Sequence, residues 1–476
     1  MSTKPTLNSD QKAAFKAIQK FLDHPSANVF VLKGYAGTGK TFLMQQVGLW
    51  LAEAKKTFIL LASTGRAASV LKGKTGFSAR TVHSELYNFS KVDGIDDKVL
   101  DSATETSGRG QMSLQFTTRQ PDQDEQRKIY IVDEASMLSG SPSKDLAFAQ
   151  FGSGVLLNDF FDVINKSKVI FVGDPCQLPP VGQSFSPALD TKWLADNDKV
   201  AISATLTKIE RTNSLNDILK LAAKVRDMSL RTDLELYPKL PATGLNNVKL
   251  YVSDVELFRV YAETYKALGV NKALAIARSN LIVAQINKAM RRELYGDPHI
   301  PIQIGEVLLV TQNNYKVPLT NGDFVIICEL GETSTRSLLK FQNVRVKSVS
   351  TDKEYNILLS MDSVYATKGN LSDNQMKELM IDFSNRMRAN NIGPNSQEYK
   401  EAMLTDDYLN SLRATFGYAV TCHKAQGGEW DKVFLFLDNN KNAMYNMPAQ
   451  ELCKWWYTSI TRAKEELHLL KDWWVS

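Results

Sequence analysis

The stretch Gly34-Tyr-Ala-Gly-Thr-Gly-Lys40-Thr41 decides the fold of this 476-residue chain, because it fits a phosphate-cradling loop at every fixed position. The apolar run Asn28-Val-Phe-Val-Leu32 predicts a buried strand before the loop, and residues 42–51 predict a helix after it. Glycines let backbone N–H groups close around phosphate oxygens, and the helix N-terminus adds positive potential there. A glycine-rich turn without a ligand is the alternative, and the order of strand, loop and helix favours the phosphate site.

The loop also predicts how a nucleoside triphosphate and its metal are held. Lys40 would reach the β- and γ-phosphates, and the Thr41 hydroxyl would hold Mg²⁺. We therefore predict ATP and Mg²⁺ as cofactors. The loop residues expected to bind the nucleotide are Gly34, Gly37, Thr38, Gly39, Lys40 and Thr41.

A carboxylate pair follows a second buried-strand pattern. The apolar run at residues 128–132 ends in Asp133-Glu134. Beside a phosphate loop, such a pair suits metal-assisted hydrolysis: Asp133 would bind the metal through water, and Glu134 would orient or deprotonate the attacking water. On its own, Asp-Glu after a strand is more often a helix cap with an acidic first turn. The phosphate loop nearby favours the catalytic interpretation.

Several further motifs occur along the chain in a fixed order. They are Asp133-Glu-Ala-Ser136, Gly173-Asp-Pro-Cys-Gln-Leu-Pro-Pro-Val181, Thr421-Cys-His-Lys-Ala-Gln-Gly427 and Tyr457-Thr-Ser-Ile-Thr-Arg-Ala463. With these motifs the chain resembles superfamily 1 DNA helicases, and among them the RecD/Dda-like branch. The resemblance extends from Gln11, which is similar to the adenine-reading glutamine of the family, to Ala463.

The resemblance implies two motor domains with the nucleotide in the cleft between them. Gln177 would sense the γ-phosphate from the first domain, and Arg211 and Arg462 would reach across from the second. An arginine placed against charge that develops on the transferred phosphoryl group stabilises the transition state. For Arg211 the alternative is a solvated surface residue. Gly428 is expected to contribute to nucleotide binding.

The resemblance also implies contacts with single-stranded DNA. Phosphate contacts and aromatic stacking can hold a single strand without reading its bases. A lone histidine is more often a packed or surface residue, and the two prolines at 179–180 could form a rigid loop and nothing more. The predicted DNA-binding residues are Thr64, Arg66, His83, Pro179, Thr421 and His423.

The predicted fold class is α/β, with two RecA-like P-loop motor domains that each carry an insertion. Short strands with turn signals after residue 300 predict a small β-barrel, which the resemblance identifies as SH3-like. Phe89 and Phe116, in the first insertion, could be strand-separating wedges or a small buried core. The predicted parts are the first motor domain (1–83 and 128–200), a pin or wedge (84–127), the second motor domain (201–300 and 414–476), the barrel (301–370) and a helical arm (371–413).

Composition fits a globular protein without proving a function. Hydrophobic residues make up 43% and charged residues 23% of the chain, and the net charge is +5. That charge is compatible with a polyanionic partner but too weak to indicate one. Four dispersed cysteines predict a reducing compartment, and we expect no membrane span and no signal peptide. These features predict a cytoplasmic protein, and the compact size favours a bacterial or phage-infected cell as its location.

Three function classes compete. The first is an ATP-dependent helicase that opens tailed or forked duplexes in replication, recombination or repair, and the resemblance implies that it moves 5′→3′ on single-stranded DNA. Its partners could include single-strand-binding, replication or recombination proteins. The second is the motor subunit of a larger helicase–nuclease complex. The third is a non-motor P-loop ATPase or kinase, which the second-domain motifs disfavour.

Overall fold

The structure is a computed structural model in which both motor regions and both insertions are represented. Its description covers residues 6–93, 113–121, 128–142, 149–210, 217–367, 369–394, 396–437 and 447–476. Arg211 and residues 107–110 of the predicted pin or wedge lie outside these ranges. No helix within them combines the length and the apolar character that crossing a bilayer requires.

The N-terminal part alternates strands and helices. Its described strands are β1 (Val29–Gly34), β2 (Phe58–Ala62), β3 (Ala79–Thr81), β4 (Tyr87–Asp93), β5 (Ser113–Thr118), β6 (Ile129–Asp133), β7 (Ala149–Phe151), β8 (Lys168–Gly173) and β9 (Ala201–Leu206). Its described helices are α1 (Ser9–Asp23), α2 (Lys40–Glu53), α3 (Gly65–Thr75), α4 (Val82–Leu86), α5 (Leu156–Ile164) and α6 (Thr191–Asp196).

Six of these strands form a parallel sheet in the order β3-β2-β6-β8-β1-β9. Alternate residues of β1 face opposite sides: Val29 and Val31 join one apolar core, and Phe30 and Leu32 join the other. Helices cover both faces of the sheet, and the inner strands therefore consist of nearly continuous apolar residues. Because the strands run in one direction, the segments that follow β1, β6 and β8 meet at one edge of the sheet.

A small separate sheet contains the first insertion. Strand β5 pairs antiparallel with β4 and parallel with β7, so the sheet extends past the predicted boundary at residue 127. Phe116 is 7% exposed, and its ring stacks on that of Phe151 with 4.5 Å between centroids. Of the two alternatives for Phe116, the structure therefore favours the small buried core. The side chain of Phe89 lies outside the described part of the chain.

The C-terminal part contains a second set of strands and helices. Its described strands are β10 (Val248–Tyr251), β11 (Ala273–Ala277), β12 (Val307–Val310), β13 (Phe324–Arg336), β14 (Leu339–Ser348), β15 (Glu354–Ser360), β16 (Ala414–Phe416), β17 (Ala419–Thr421), β18 (Trp430–Phe436) and β19 (Ala463–Leu470). Its described helices are α7 (Asp217–Ser229), α8 (Asp254–Leu268), α9 (Asn280–Tyr295), α10 (Met361–Tyr365), α11 (Asp373–Ala389), α12 (Gln397–Thr405), α13 (Cys422–Ala425) and α14 (Ala449–Ile460).

Five of these strands form the second parallel sheet, in the order β10-β19-β18-β11-β17. Every residue of β11 is buried, as expected for an inner strand covered on both faces. The parallel sheets and their flanking helices confirm the predicted α/β fold with two RecA-like motor domains.

The second insertion forms an antiparallel sheet in the order β15-β14-β13-β12-β16. A bridge between Leu359 in β15 and Leu412, just before β16, joins its two edges and closes a small barrel. Its SH3-like character stays a prediction. The predicted return to the motor domain at residue 414 falls inside this barrel, because Ala414–Phe416 pairs with β12 and the motor sheet resumes at β17.

A buried ion pair fastens the barrel to the second motor domain. The Nε atom of Arg291, in α9, lies 2.6 Å from Oε1 of Glu306, which immediately precedes β12. Neither side chain is more than 1% exposed, and Arg291 also donates to the carbonyls of Pro298 and Ile300. A charge pair so deeply buried is costly to separate, so it holds the two parts in one arrangement.

Candidate nucleotide and DNA site

The loop between β1 and α2 leaves the first turn of the helix open for an anion. Gly39 is the N-cap of α2, and no side chain caps this helix. Gly37 and Gly39 have φ angles of 80° and 77°, which glycine adopts without strain. Phosphate oxygens bind at such uncapped N–H groups.

Lys40 folds back onto the loop. Its Nζ donates to the carbonyl oxygens of Gly34 at 2.6 Å and Tyr35 at 3.2 Å. A Cβ atom at Gly34 would lie 2.9 Å from the side chains of both Lys40 and Thr38, so glycine is needed there. The ammonium group is thus held inside the loop, where phosphate oxygens could replace the two carbonyls.

Gln11 contacts the phosphate loop directly. Its amide Nε2 donates to the carbonyl oxygen of Thr38 at 3.1 Å, and its Oε1 accepts from the backbone N–H of Asn8 in the capping box of α1. The side chain is buried, and a Cβ atom at Gly39 would lie 2.5 Å from Nε2. The capping box therefore fixes the glutamine against the loop.

The carboxylate pair lies at the end of β6. Burial and the charge of Glu134 raise the pKa of Asp133 to about 7, whereas the charge of Lys40 lowers it. Glu134 has φ 50° and ψ 39°, a left-handed conformation that strains any residue other than glycine. Thr41 is in the first turn of α2. The Thr41 hydroxyl and the Asp133 carboxylate are oxygen ligands of the kind that Mg²⁺ accepts beside phosphate oxygens.

The loop after β8 carries Gln177 and is tightly bonded. The Asp174 carboxylate is fully buried and accepts from the backbone N–H of Cys176 at 3.0 Å. Burial raises the pKa of Asp174, and the charge of Lys40 lowers it. Gln177 is 3% exposed, and its carboxamide oxygen has no partner among the described residues. That oxygen is available to a group that enters the cleft.

The second motor domain reaches the phosphate loop at two points. The Tyr457 hydroxyl, at the end of α14, accepts from the backbone N–H of Ala36 at 2.9 Å. The guanidinium of Arg226, in α7, lies 4.4 Å from the centre of the Tyr35 ring. The cleft is thus closed over the loop in this structure.

Arg462 is bonded to its own domain. Its guanidinium donates to the carbonyl oxygens of Thr458 at 3.0 Å and Gly428 at 3.2 Å, and to the Thr461 hydroxyl at 3.2 Å. It is 5% exposed. Three of its five N–H donors are thus used within its own domain.

Gly428, whose predicted contribution to nucleotide binding stays a prediction, lies at the contact between the two motor domains. A Cβ atom there would lie 2.5 Å from the Trp430 ring and 2.8 Å from Nε of Arg66. The absence of a side chain lets the two motor domains approach closely. This structure therefore gives Gly428 a packing role.

The predicted DNA contact of Arg66 stays a prediction, and in this structure the side chain lies between parts of the protein. Its guanidinium lies 4.3 Å from the Trp430 ring centre and 5.0 Å from that of Phe324, so it touches the second motor domain and the barrel. Burial lowers its pKa to about 10. The nearby Thr64 side chain caps α3 by accepting from the backbone N–H of Ala67 at 3.2 Å. Both side chains serve packing or capping here.

His83 lines a cavity of about 600 Å³ between the first motor domain and the barrel. Lys72, Arg80 and Tyr315 line the same cavity. Burial lowers the pKa of His83, so the imidazole is neutral at pH 7. It can contact a strand by hydrogen bonding or stacking rather than by charge.

Thr421 lines a second cavity, of about 220 Å³, in the second motor domain, together with Lys288 and Lys424. The neighbouring His423 has its pKa lowered by burial. Pro179 is buried, which places it away from any surface that DNA could reach in this structure. The exposed apolar side chains of its loop are Val181, 74% exposed, and Phe185, 40% exposed.

Three residues that lie at the cleft are not among the site residues predicted from the sequence. Asp174 and Tyr457 fall inside the recognised motifs, so their position in those motifs was a usable signal. Arg226 lies in a helix with ordinary amphipathic spacing, and nothing in its sequence context marks it.

The sequence matches two domain families. Residues 6–239 match the family described as "AAA domain", and residues 416–470 match the "UvrD-like helicase C-terminal domain". The chain is similar to the ATP-dependent DNA helicase dda of Enterobacteria phage T4, with 24% identity over 97% of this chain and 98% of that protein. It is also similar to the ATP-dependent RecD2 DNA helicase of Deinococcus radiodurans, with 25% identity over 96% of this chain and 50% of that protein. Among solved structures, Pif1 helicase from Candida albicans aligns with 14% identity and a TM-score of 0.43, over 98% of this chain and 96% of that one.

A phosphate loop on one parallel α/β domain, closed over by a second such domain, defines a two-domain P-loop motor protein. The matched families and the relatives support a motor of the superfamily 1 helicase kind, similar to the Dda and RecD type.

Proposed function

We propose that this chain is an ATP-dependent DNA helicase that moves 5′→3′ on single-stranded DNA and separates tailed or forked duplexes. The observation that carries the proposal is the contact of the second motor domain with the phosphate loop, through Tyr457 and Arg226. A cleft built from two domains can convert the presence or loss of a γ-phosphate into domain movement. A one-domain kinase has no use for such a contact.

Nucleotide chemistry is assigned to residues of both domains. Lys40 and the open N-terminus of α2 hold the phosphates, while Thr41 and Asp133 are the proposed ligands of Mg²⁺, which would neutralise charge on the phosphates. Glu134 activates the attacking water. Gln177 from the first domain and Arg462 from the second contact the γ-phosphate. Arg211 keeps the same proposed role, although it lies outside the described residues.

The DNA path is proposed to follow the two cavities. His83 and Arg80 contribute to the first, and Thr421 and Lys424 to the second. Lysine and arginine would contact phosphates and Tyr315 could stack on a base, which binds a strand without reading its sequence. Thr64, Arg66, His423 and Pro179 remain proposed contacts that need a different domain arrangement to meet DNA.

Two measurements on the purified chain test the proposal. ATP hydrolysis should be slow alone and strongly stimulated by single-stranded DNA, and DNA binding should weaken steeply with salt as counterions are released. A strand-displacement assay should open 5′-tailed duplexes and leave 3′-tailed duplexes closed. DNA-independent hydrolysis would favour a non-motor ATPase, and opening of 3′-tailed duplexes would overturn the polarity.

A role as the motor subunit of a helicase–nuclease complex is the second candidate. The described residues contain no group of three or more His, Cys, Asp and Glu side chains placed to hold a metal ion. Strand displacement by the chain alone would favour a stand-alone enzyme. Partners among single-strand-binding, replication or recombination proteins, and a place in the cytoplasm of a bacterial or phage-infected cell, belong to the proposal as well.

A further inference from the structure

The Tyr457 hydroxyl joins three segments of the cleft. It lies in the last turn of α14, in the second motor domain, and is 2% exposed. It accepts from the backbone N–H of Ala36 in the phosphate loop at 2.9 Å and donates to Oδ2 of Asp174 at 2.6 Å. One phenol group therefore ties α14 to the phosphate loop and to the loop that follows β8.

The loop after β8 is held by the second motor domain on both sides of Gln177. On one side, Asp174 accepts from Tyr457. On the other side, the backbone N–H of Leu178 donates to the Thr458 hydroxyl at 2.9 Å, and its carbonyl accepts from Nε2 of Gln426 at 3.2 Å. The position of Gln177 is thus set from the opposite domain.

The same turn of α14 also sets the position of Arg462. The helix ends at Ile460, and the guanidinium of Arg462 donates to the carbonyl oxygen of Thr458, the residue after Tyr457. Any shift of this turn relative to the phosphate loop moves Arg462 with it. The tyrosine bridge therefore determines how far both proposed γ-phosphate contacts lie from Lys40.

We propose that Tyr457 is a positioning residue for ATP hydrolysis, whose hydroxyl docks the end of α14 on the phosphate loop and so places Gln177 and Arg462. This role rests on the proposed function of the cleft. This positioning role requires neither proton transfer by Tyr457 nor a contact between Tyr457 and the nucleotide. Its loss should therefore slow turnover without weakening ATP binding, because Lys40 and the open turn of α2 are untouched.

Tyr457→Phe removes the hydroxyl and keeps the ring. We expect the maximal rate of DNA-stimulated hydrolysis to fall about 10-fold to 100-fold, since a misplacement of about 1 Å can cost that much, with KM for ATP within about twofold of wild type. Tyr399→Phe is the matched control, because its buried hydroxyl bonds to Ser384 at 2.8 Å in the helical arm, away from the cleft. It should leave both constants unchanged. Thermal unfolding of both variants reports whether each is folded.

A double-mutant cycle separates positioning from general damage. Because the tyrosine is proposed to set the position of Arg462, Tyr457→Phe should slow hydrolysis by a smaller factor in an Arg462→Ala background than in wild type, measured in single turnovers. An equal factor in both backgrounds would mark a merely structural role and overturn the proposal. An unchanged rate, or a raised KM with an unchanged rate, would overturn it as well. A wild-type enzyme without DNA-stimulated hydrolysis would instead defeat the proposed function, before any variant is compared.

Discussion

In both motor domains a helix follows an inner strand, but the N-termini of the two helices are capped differently. In the first domain, α2 follows β1 and begins at Gly39, with no capping side chain. In the second, α9 follows β11, and the Ser279 hydroxyl caps it by accepting from the backbone N–H of Ile282 at 3.3 Å. An uncapped turn offers all of its free N–H groups to phosphate, whereas the capping hydroxyl of Ser279 already takes one of them.

The difference teaches that one architecture serves two purposes. In the proposed function, the first sheet binds the nucleotide with backbone groups and Lys40. The second sheet provides side chains, notably Tyr457 and Arg462, that complete the cleft from outside. Substitutions on the two sides of the cleft test this division.

Lys40→Ala should abolish ATP turnover. The substitution removes the positive charge that the phosphate loop holds by its own carbonyls, and both phosphate binding and transition-state stabilisation depend on it. Steady-state hydrolysis with saturating single-stranded DNA measures the loss. Lys20→Ala, at the exposed end of α1, is the control and should retain wild-type turnover. Substantial activity in Lys40→Ala would show that the loop does not hold the reacting nucleotide.

Arg462→Ala should lower the hydrolysis rate by about 10³-fold while ATP affinity changes only a few-fold, since the contact strengthens in the transition state. Affinity is measured by equilibrium binding of a fluorescent ATP analogue, and the rate by single turnovers. Arg292→Ala, on the exposed side of α9, should match wild type. Lost binding with an unchanged rate would make Arg462 a ground-state contact.

Glu134→Gln should slow hydrolysis by about 10²-fold or more and leave nucleotide and DNA binding intact, because only the activation of water is lost. Pre-steady-state measurements separate binding from cleavage. The exposed Glu263→Gln, on α8, is the matched control. Near-normal turnover in Glu134→Gln would move the water-activating role to another group.

His468 should make the stability of the second domain depend on pH. Its ring stacks on Phe434 with 4.1 Å between centroids, and burial lowers its pKa to about 4. The unfolded chain takes up a proton near pH 6.5 while the folded imidazole stays neutral, so the free energy of unfolding should fall as the pH drops from about 6.5 towards 4, by about 1–3 kcal/mol.

Denaturant unfolding at pH 7 and pH 5 checks this dependence. A His468→Gln variant should lose less stability than wild type over the same interval, because its side chain does not titrate. Equal losses in the two proteins would assign the dependence to other groups.

Ser279→Ala should give the smallest effect. Loss of the cap costs about 1 kcal/mol of stability. DNA-stimulated hydrolysis should stay at the wild-type rate, because the capped turn of α9 binds no phosphate. A change in the apparent affinity for ATP would contradict the division between the two helix N-termini.

The phosphate-loop side of the cleft can be recognised in the sequence because its residues follow one another along the chain. A phosphate loop needs contiguous residues and a backbone that glycine permits, so Gly37, Gly39 and Lys40 can be recognised in a single stretch. Asp133 follows because parallel strands end at one edge of the sheet. The motor-domain fold follows from repeated buried strands.

The rest depends on how distant surfaces meet. The positive charge of Arg66 suggests a contact with DNA phosphates. In this structure, however, its guanidinium packs against two aromatic rings from other parts of the chain. Phe116 could be a wedge by position, and burial against Phe151 assigns it to a core. The bond between Tyr457 and Asp174 joins positions that no local pattern relates.

The closure of the barrel bears on the order in which the chain can fold. Ala275 in β11 pairs with Ala419 in β17, so the second motor sheet must bring together segments on either side of the barrel and the arm. Closing so long a loop costs entropy and slows folding. Strands β12 and β16 are neighbours within the barrel, with Leu308 opposite Phe416. A barrel that folds first therefore brings the two ends of the insertion side by side, and leaves Gly417 and Tyr418 as the whole gap before β17.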